Sequence, residues 1–205
     1  NNLSTAIIIL GIAVILIFVA NPQFLPFLWI GGTGVGFIGI FLSLESYRLE
    51  RLAIWRNPEL YEKGYQTMQG LYAIGSGGLF GVGLGESMQK LGFVPEAQND
   101  MIFSIICEEL GLTGAVAVLV IFGLLIWRLM VIATWTKDLF GALLAAGVMG
   151  HIMIQVILNV AVVTNTIPNT GITLPFVSYG GTSVVFLLLE MGIALSVSRG
   201  VRKEH

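Results

Sequence analysis

From residue 3 to residue 44 the chain contains no Asp, Glu, Lys or Arg. Within this stretch, two apolar segments, residues 4–20 and 28–44, are separated by Asn-Pro-Gln-Phe-Leu-Pro, a sequence that is typical of a turn. Each segment has about 17 residues, or about 26 Å of helix, which is near the thickness of a bilayer core. This stretch predicts a helical hairpin in a membrane.

The composition agrees with that prediction. Only 11% of the 205 residues are charged and 56% are hydrophobic, whereas about 25% of the residues in a soluble domain are charged. An ordinary soluble globule is therefore excluded. The net charge of −2 provides no basic surface for a nucleic-acid backbone, so no nucleic-acid partner is expected. Because the chain begins with Asn1 rather than Met, we expect it to be part of a longer protein.

Three further apolar segments, residues 101–127, 139–163 and 182–198, predict membrane helices. The assignment of the glycine-rich residues 65–84 depends on the basic residues. If this segment crosses the membrane, Lys90 lies on one side and the other nine basic residues lie on the opposite side, as the positive-inside rule requires. These nine are Arg48, Arg51, Arg56, Lys63, Arg128, Lys137, Arg199, Arg202 and Lys203.

We therefore predict an all-α polytopic membrane protein, with six transmembrane helices in a single membrane domain that covers residues 1–205. The start of the chain and the C-terminus are expected in the cytoplasm. The loops 21–27, 85–100 and 164–181 are expected outside, and loop 85–100 carries all the charges of that face.

Asp100 directly precedes an apolar run, so its carboxylate is expected at the junction of water and hydrocarbon. Partial desolvation there would raise its pKa. A carboxylate in this position could act as general base on a substrate anchored in lipid. The alternative is that Asp100 only caps the helix that follows it.

Other polar residues lie within the apolar segments, where they either line a cavity or bind neighbouring helices. His151, Gln155 and Asn159 recur every fourth residue and form one stripe on a helix. Glu190 is a candidate partner for His151. Glu108 and Glu109 are adjacent and cannot both face one pocket, so one of them is expected to serve the structure. The turn-rich residues 165–181 predict an ordered loop that borders a cavity.

Several motifs are recognisable in order and spacing. They are Ala-Ile-Gly-Ser-Gly-Gly-Leu-Phe-Gly-Val-Gly-Leu-Gly at residues 73–85, Pro-Glu-Ala-Gln-Asn-Asp at 95–100, Glu-Glu-Leu-Gly at 108–111, and Gly-Ile-Thr-Leu-Pro-Phe-Val-Ser-Tyr-Gly-Gly-Thr-Ser at 171–183. With Tyr-Arg-Leu-Glu-Arg at 47–51 and Gly-Tyr-Gln at 64–66, they resemble the SEDS family of FtsW, RodA and SpoVE, with FtsW and SpoVE the more similar. The resemblance implies the C-terminal part of a ten-helix fold.

The resemblance also implies a peptidoglycan glycosyltransferase that polymerises lipid II at the outer face of the bacterial cytoplasmic membrane, in division or sporulation. Asp100 matches the essential carboxylate of the family. Lys90, Glu96, Ser178 and Tyr179 are the candidate substrate-binding residues, with Lys90 chosen because it is the one basic residue expected outside. A divalent cation could instead neutralise the diphosphate, although no metal-binding residues are predicted. The implied partners are a class B penicillin-binding protein and other divisome proteins, and the chain alone is expected to be inactive.

Two other functions stay open at this point. A lipid II flippase would also need a polar stripe and a broken, glycine-rich span. A non-catalytic division scaffold would need only apolar helices to bind its partner, and Asp100 would then be dispensable.

Overall fold

The computed structural model describes residues 3–21, 29 and 46–201, and these residues form helices joined by turns. The predicted all-α class is confirmed. The second predicted span, residues 28–44, lies outside the described residues apart from Trp29. The helices are α1 (Leu3–Ala20), α2 (Ser46–Arg56), α3 (Tyr65–Gly77), α4 (Ile102–Trp135), α5 (Leu139–Val163) and α6 (Gly181–Arg199), with short 3₁₀ turns at Pro58–Leu60, Glu62–Gly64 and Gln89–Leu91.

Within the part of the chain that the structure describes, α4, α5 and α6 are each long and apolar enough to cross a membrane. Local sequence sets where α5 begins, because the Asp138 side chain accepts a hydrogen bond of 2.8 Å from the Gly141 N–H and so caps the helix. The core lies mainly where α4 and α5 pack together, and includes the buried side chains Leu129 and Ile152.

Helix α1 packs against α5 and runs in the opposite direction. A Cβ atom added to Gly11 would lie 2.6 Å from Ile154, whereas one added to Gly150 would lie 2.8 Å from Ile15. Residues near the start of α1 therefore face the last part of α5. The glycines allow the two backbones to approach closely, as is common between membrane helices.

Helices α5 and α6 are also antiparallel, since His151 contacts Glu190 and a Cβ atom on Gly141 would lie 3.3 Å from Val197. Helix α1 therefore runs in the same direction as α6. The prediction that the start of the chain and the C-terminus share one side of the membrane is wrong, because α1 begins at the end of the bundle opposite to the end where α6 finishes. The prediction depended on the assumption that residues 65–84 cross the membrane.

That segment is not one continuous helix. Helix α3 ends at Gly77 after 13 residues, or about 20 Å, which is short of the ~30 Å bilayer core. Turns follow at residues 78–85, where Gly78, Gly81, Gly83 and Gly85 all have positive φ. Glycine adopts this conformation without steric cost, so these residues allow the chain to turn away from the helix axis after Gly77.

The glycine-rich turn compensates a break in α4. Gly111 has φ of 65° and ψ of −165°, so backbone groups on both sides of it lose their partners within the helix. The turn supplies new partners in both directions. The four bonds run from the N–H of Val82 to the carbonyl of Glu108 at 2.9 Å, from Gly83 to Glu109 at 3.0 Å, from Leu112 to Gly78 at 2.9 Å and from Thr113 to Leu79 at 3.1 Å.

Candidate functional site

Asp100 lies in a cavity of about 370 Å³ at the end of the bundle where α4 begins and α5 finishes. The residue is 7% exposed. Helix α4 begins after Met101 without a side-chain cap, so the alternative in which Asp100 caps this helix is wrong. The cavity is lined by Arg51, Ile54, Trp55, Lys63, Gln66, Thr67, Asp100, Asn165, Pro168, Asn169, Thr170 and Gly171.

The carboxylate of Asp100 is held by a chain of side-chain amides. Gln66 Nε2 donates to Asp100 Oδ1 at 3.2 Å and also to the carbonyl of Pro95 at 3.2 Å. Asn169 Nδ2 in turn donates to Gln66 Oε1 at 3.1 Å, and Asn169 Oδ1 accepts from the N–H of Gly171 at 2.9 Å. The chain connects α3, the loop before α4 and the loop after α5.

The backbone of the same loop is held separately. Three successive carbonyl groups, those of residues 98, 99 and 100, each accept a hydrogen bond from the second half of α5 or from the loop that follows it. The donors are the Tyr179 N–H to Gln98 at 2.8 Å, the Ser178 hydroxyl to Asn99 at 2.6 Å, and Asn159 Nδ2 to Asp100 at 2.8 Å. We call these three hydrogen bonds the carbonyl clamp. It fixes Asp100 against the membrane helices.

Burial raises the pKa of the Asp100 carboxyl above its ordinary value, and the negative charge of Glu96 raises it further. Hydrogen bonds from its own backbone and from Gln66 act in the opposite direction. The raised pKa agrees with the expectation of partial desolvation. A carboxylate of this kind is a stronger base than an ordinary aspartate, while remaining anionic at a pH above its pKa.

Two basic residues, Arg51 and Lys63, line the cavity together with Asp100. The charge count predicted these residues on the cytoplasmic side, opposite to the aspartate. That prediction is wrong, because residues that line one cavity cannot be separated by a bilayer. The rule failed because it treated residues 65–84 as a crossing, which placed Arg51 and Lys63 on the side of the membrane opposite to Asp100.

Lys90 and Glu96 line a different cavity, of about 700 Å³, which Asp100 does not line. Lys90 forms a 2.7 Å ion pair with Glu109. Glu96 accepts a hydrogen bond from the Asn99 side chain. A role for Lys90 or Glu96 in binding substrate stays a prediction.

Both glutamates at the break in α4 hold the loop before Asp100. Glu108 accepts hydrogen bonds from the Ser87 hydroxyl and, at 3.2 Å, from the Met88 N–H. Glu109 holds Lys90. Neither residue lines the Asp100 cavity. The expectation that one of the two serves the structure therefore extends to both.

The three residues of the polar stripe on α5 have different roles. His151 Nδ1 lies 2.9 and 2.8 Å from the two carboxylate oxygens of Glu190, so the suggested pairing is present. Gln155 joins them in lining an apolar cavity of about 630 Å³ between α1, α5 and α6. Asn159, one turn further along, instead reaches the candidate site through the carbonyl clamp.

Ser178 and Tyr179, the remaining candidate substrate-binding residues, do not line the Asp100 cavity. The Ser178 hydroxyl donates to Asn99 and accepts from the Leu174 N–H at 2.7 Å. Tyr179 contributes its backbone N–H to the clamp, and the residue as a whole is 75% exposed. Their contact with substrate stays a prediction.

Sequence reasoning missed Gln66, Asn169, Arg51 and Lys63 as members of the site. The signal for Gln66 was a polar side chain within residues 65–84, the segment that was assigned as a membrane crossing. The signal for Asn169 was the turn-rich loop 165–181, which indeed borders the cavity as predicted.

Comparison with known proteins gives a consistent result. The sequence profile of the FtsW, RodA and SpoVE family, described as cell cycle proteins, matches residues 1–203. Stage V sporulation protein E of Bacillus subtilis is 45% identical over 201 residues, which make up 97% of this chain and 55% of that protein. A probable peptidoglycan glycosyltransferase FtsW of Trichlorobacter lovleyi is 38% identical over 203 residues, or 98% of this chain and 53% of that protein.

A solved structure also resembles this chain. It concerns structural coordination of polymerization and crosslinking by a peptidoglycan synthase complex, and it aligns with a TM-score of 0.79 and 28% identity over 100% of this chain and 57% of that chain. The chain spans about half the length of the curated relatives it matches.

Proposed function

The chain belongs to the FtsW, RodA and SpoVE family of cell cycle proteins, and on that premise we propose that the protein polymerises lipid II into the glycan strands of peptidoglycan, in cell division or sporulation. The observation that supports this most directly is a buried aspartate with a raised pKa, which shares a cavity with two basic side chains. These are the groups that glycosyl transfer from a diphosphate requires.

In the proposed reaction, Asp100 accepts the proton of the acceptor sugar hydroxyl as the hydroxyl oxygen attacks the anomeric carbon of the donor. A new glycosidic bond forms. The bond between the anomeric carbon and the diphosphate breaks, and undecaprenyl diphosphate leaves with the electron pair. The leaving group needs neutralisation of its charge rather than a proton, so a single carboxylate is sufficient, unlike the pair used in glycoside hydrolysis.

Arg51 and Lys63 are the proposed contacts of the diphosphate. A guanidinium group can bind two phosphate oxygens at once, and an ammonium group adds a compact positive charge. The two lie on α2 and on the turn before α3, so they reach the cavity from one side. In this proposal, Arg51 and Lys63 replace Lys90 as the residues that contact the diphosphate.

The described residues 3–21, 29 and 46–201 contain no group of three or more His, Cys, Asp or Glu side chains that could hold a metal ion. A divalent cation at the diphosphate therefore stays a prediction, and the proposed steps use only side chains of the chain itself.

We place the Asp100 end of the bundle outside the cytoplasmic membrane and the C-terminus in the cytoplasm. Supporting this, Lys137 lies in the short connection between α4 and α5, at the same end as Arg199. Single cysteines at Lys137 and at the exposed Leu91 should distinguish the faces. A membrane-impermeant maleimide added to intact cells should label the Leu91 variant and spare the Lys137 variant, and the reverse pattern would invert the proposed orientation.

The central experiment uses the natural full-length protein with a class B penicillin-binding protein, its proposed partner, and labelled lipid II. Asp100→Asn should abolish polymer, with a loss of at least about 10²-fold, because general base catalysis typically contributes 10²–10⁴-fold. Asp138→Asn is the matched control, since it makes the same chemical change at the opposite end of the bundle and Asn also caps helices well. Equal polymer from both variants would refute the proposal and favour a flippase or a scaffold.

A further inference from the structure

The amide chain at Asp100 has a direction that backbone groups determine at both ends. A backbone N–H can only donate, so the bond from Gly171 identifies the atom of Asn169 that accepts it as Oδ1. The other atom of that amide, Nδ2, must then face Gln66 and donate to Oε1. At the far end, the carbonyl of Pro95 can only accept, so the atom of Gln66 beside it is Nε2.

Gln66 therefore presents an N–H donor to Asp100 Oδ1, and it cannot rotate to present an acceptor without placing two donors face to face at Asn169. An oxygen that accepts this hydrogen bond is a poor position for a proton. The second oxygen, Oδ2, faces Gly171, because a Cβ atom added to that glycine would lie 4.0 Å from it. Gly171 lines the cavity, so Oδ2 is the oxygen presented to that side.

We propose that Gln66 and Asn169 are positioning residues that engage Oδ1 of Asp100 and reserve Oδ2 to take the proton of the acceptor hydroxyl. This inference rests on the proposed glycosyltransferase function. It adds that the general base works through one defined oxygen. Asn169, in the loop after α5, selects this oxygen indirectly, because it orients the Gln66 amide that binds Oδ1.

The carbonyl clamp makes the proposal testable without unfolding the loop. Asn159, Ser178 and the Tyr179 N–H hold the backbone of residues 98–100, whereas Gln66 and Asn169 hold the carboxylate. The two sets share no residue. A variant that interrupts the amide chain therefore keeps the three hydrogen bonds to the carbonyls of residues 98–100, although Gln66→Met also removes the bond to the Pro95 carbonyl.

The effect of nearby charges on the pKa of Asp100 has to be distinguished from the effect of the two side-chain amides. Arg51 and Lys63 line the cavity, and Glu96 lies on the same loop as Asp100. The negative charge of Glu96 raises the pKa of Asp100, whereas the hydrogen bond from Gln66 lowers it. Neutralising Glu96 and removing Gln66 should consequently shift the activity profile in opposite directions.

The test compares Gln66→Met, Asn169→Leu and Glu96→Gln with the wild type, as full-length protein with its partner, by following lipid II polymerisation across pH. Gln66→Met and Asn169→Leu should each reduce kcat by about 10- to 100-fold with a smaller change in KM, because the base loses its orientation. Both should also move the acid limb of the kcat profile to higher pH. Glu96→Gln should move that limb to lower pH.

An acid limb that stays in place while Gln66→Met and Asn169→Leu remain folded would overturn the proposal, since a purely structural role lowers activity without moving the limb. If Gln66→Met does not fold, Asn169→Leu carries the same prediction alone, because it removes the donor that orients Gln66, together with the acceptor of the Gly171 N–H, and leaves Gln66 itself in place. Full activity of Asp100→Asn would instead refute the proposed function itself, so the two failures are distinguishable.

Discussion

The side-chain amide of Asn159, fully buried in α5, donates a 2.8 Å hydrogen bond to the carbonyl oxygen of Asp100. The same Nδ2 donates to the carbonyl of Ile172 at 2.8 Å. One membrane residue therefore joins the loop that carries the proposed base to the loop that borders its cavity.

Asn159→Leu should destabilise the protein by about 1–3 kcal/mol, since it leaves two buried carbonyl groups without their donor. Gln155→Leu is the matched control on the same helix face, because Gln155 Oε1 is already buried without a partner among the described residues. Thermal unfolding in detergent should show a clear loss of Tm for Asn159→Leu and a small change for Gln155→Leu. Equal losses would contradict the role assigned to the clamp.

Asp100→Asn should raise the stability of the fold near neutral pH. Folding raises the pKa of this carboxyl, so its stabilising contribution is complete below the ordinary pKa of about 3.9 and is lost as the pH rises through the folded value. Asn keeps a neutral group of the same shape at every pH. The Tm advantage of the variant should be largest at pH 7 to 8 and shrink towards pH 4, and a pH-independent difference would argue against desolvation of Asp100.

Arg51→Gln and Lys63→Gln should each raise the KM for lipid II by about tenfold or more, because a hydrogen bond to a charged group is worth about 1.5–3 kcal/mol. Lys90→Gln is the comparison, since Lys90 pairs with Glu109 and lines a different cavity from Asp100. Steady-state kinetics at several salt concentrations would measure the effect. A larger effect at Lys90 than at both cavity residues would restore it as the diphosphate contact.

Gly77→Ala should destabilise the packing of α3 against α4 by about 1–3 kcal/mol or more. Its Cβ atom would lie 1.9 Å from the carbonyl oxygen of Cys107, and a backbone carbonyl cannot move aside cheaply. Gly75→Ala, two residues earlier on the same helix, meets no atom within 4 Å and should gain about 0.5–1 kcal/mol of helix propensity. Measured Tm values that move in the same direction for both variants would count against this packing.

The sequence predicted the parts of the fold that local chemistry determines. The apolar segment 139–163 has the same limits as α5, because Asp138 caps its start and turn residues follow its end. Asp100 was identifiable as the candidate base from its place before an apolar run and from the resemblance. The limits of α5 and the place of Asp100 before an apolar run both depend only on neighbouring residues.

The rest of the site depends on contacts that no local pattern contains. Gln66 and Asn169 are 103 residues apart in the chain yet share a hydrogen bond. The placement of Arg51 depended on whether residues 65–84 cross the membrane, and charge counting cannot distinguish a crossing from a 13-residue helix that ends in a glycine-rich turn. Tertiary packing decides that question.

The break at Gly111 has a consequence for how freely this region can change in sequence. All four bonds between the glycine-rich turn and α4 join backbone to backbone, so they are indifferent to the side chains at Val82, Leu112 or Thr113. Substitutions other than proline should be accepted widely at Val82 and Leu112, whereas Thr113 also donates its hydroxyl to the carbonyl of Leu110 at 3.0 Å. Gly77 and Gly111, whose added Cβ atoms would meet backbone at 1.9 and 2.4 Å, should accept almost none. The architecture around the break is thus encoded by where side chains are missing.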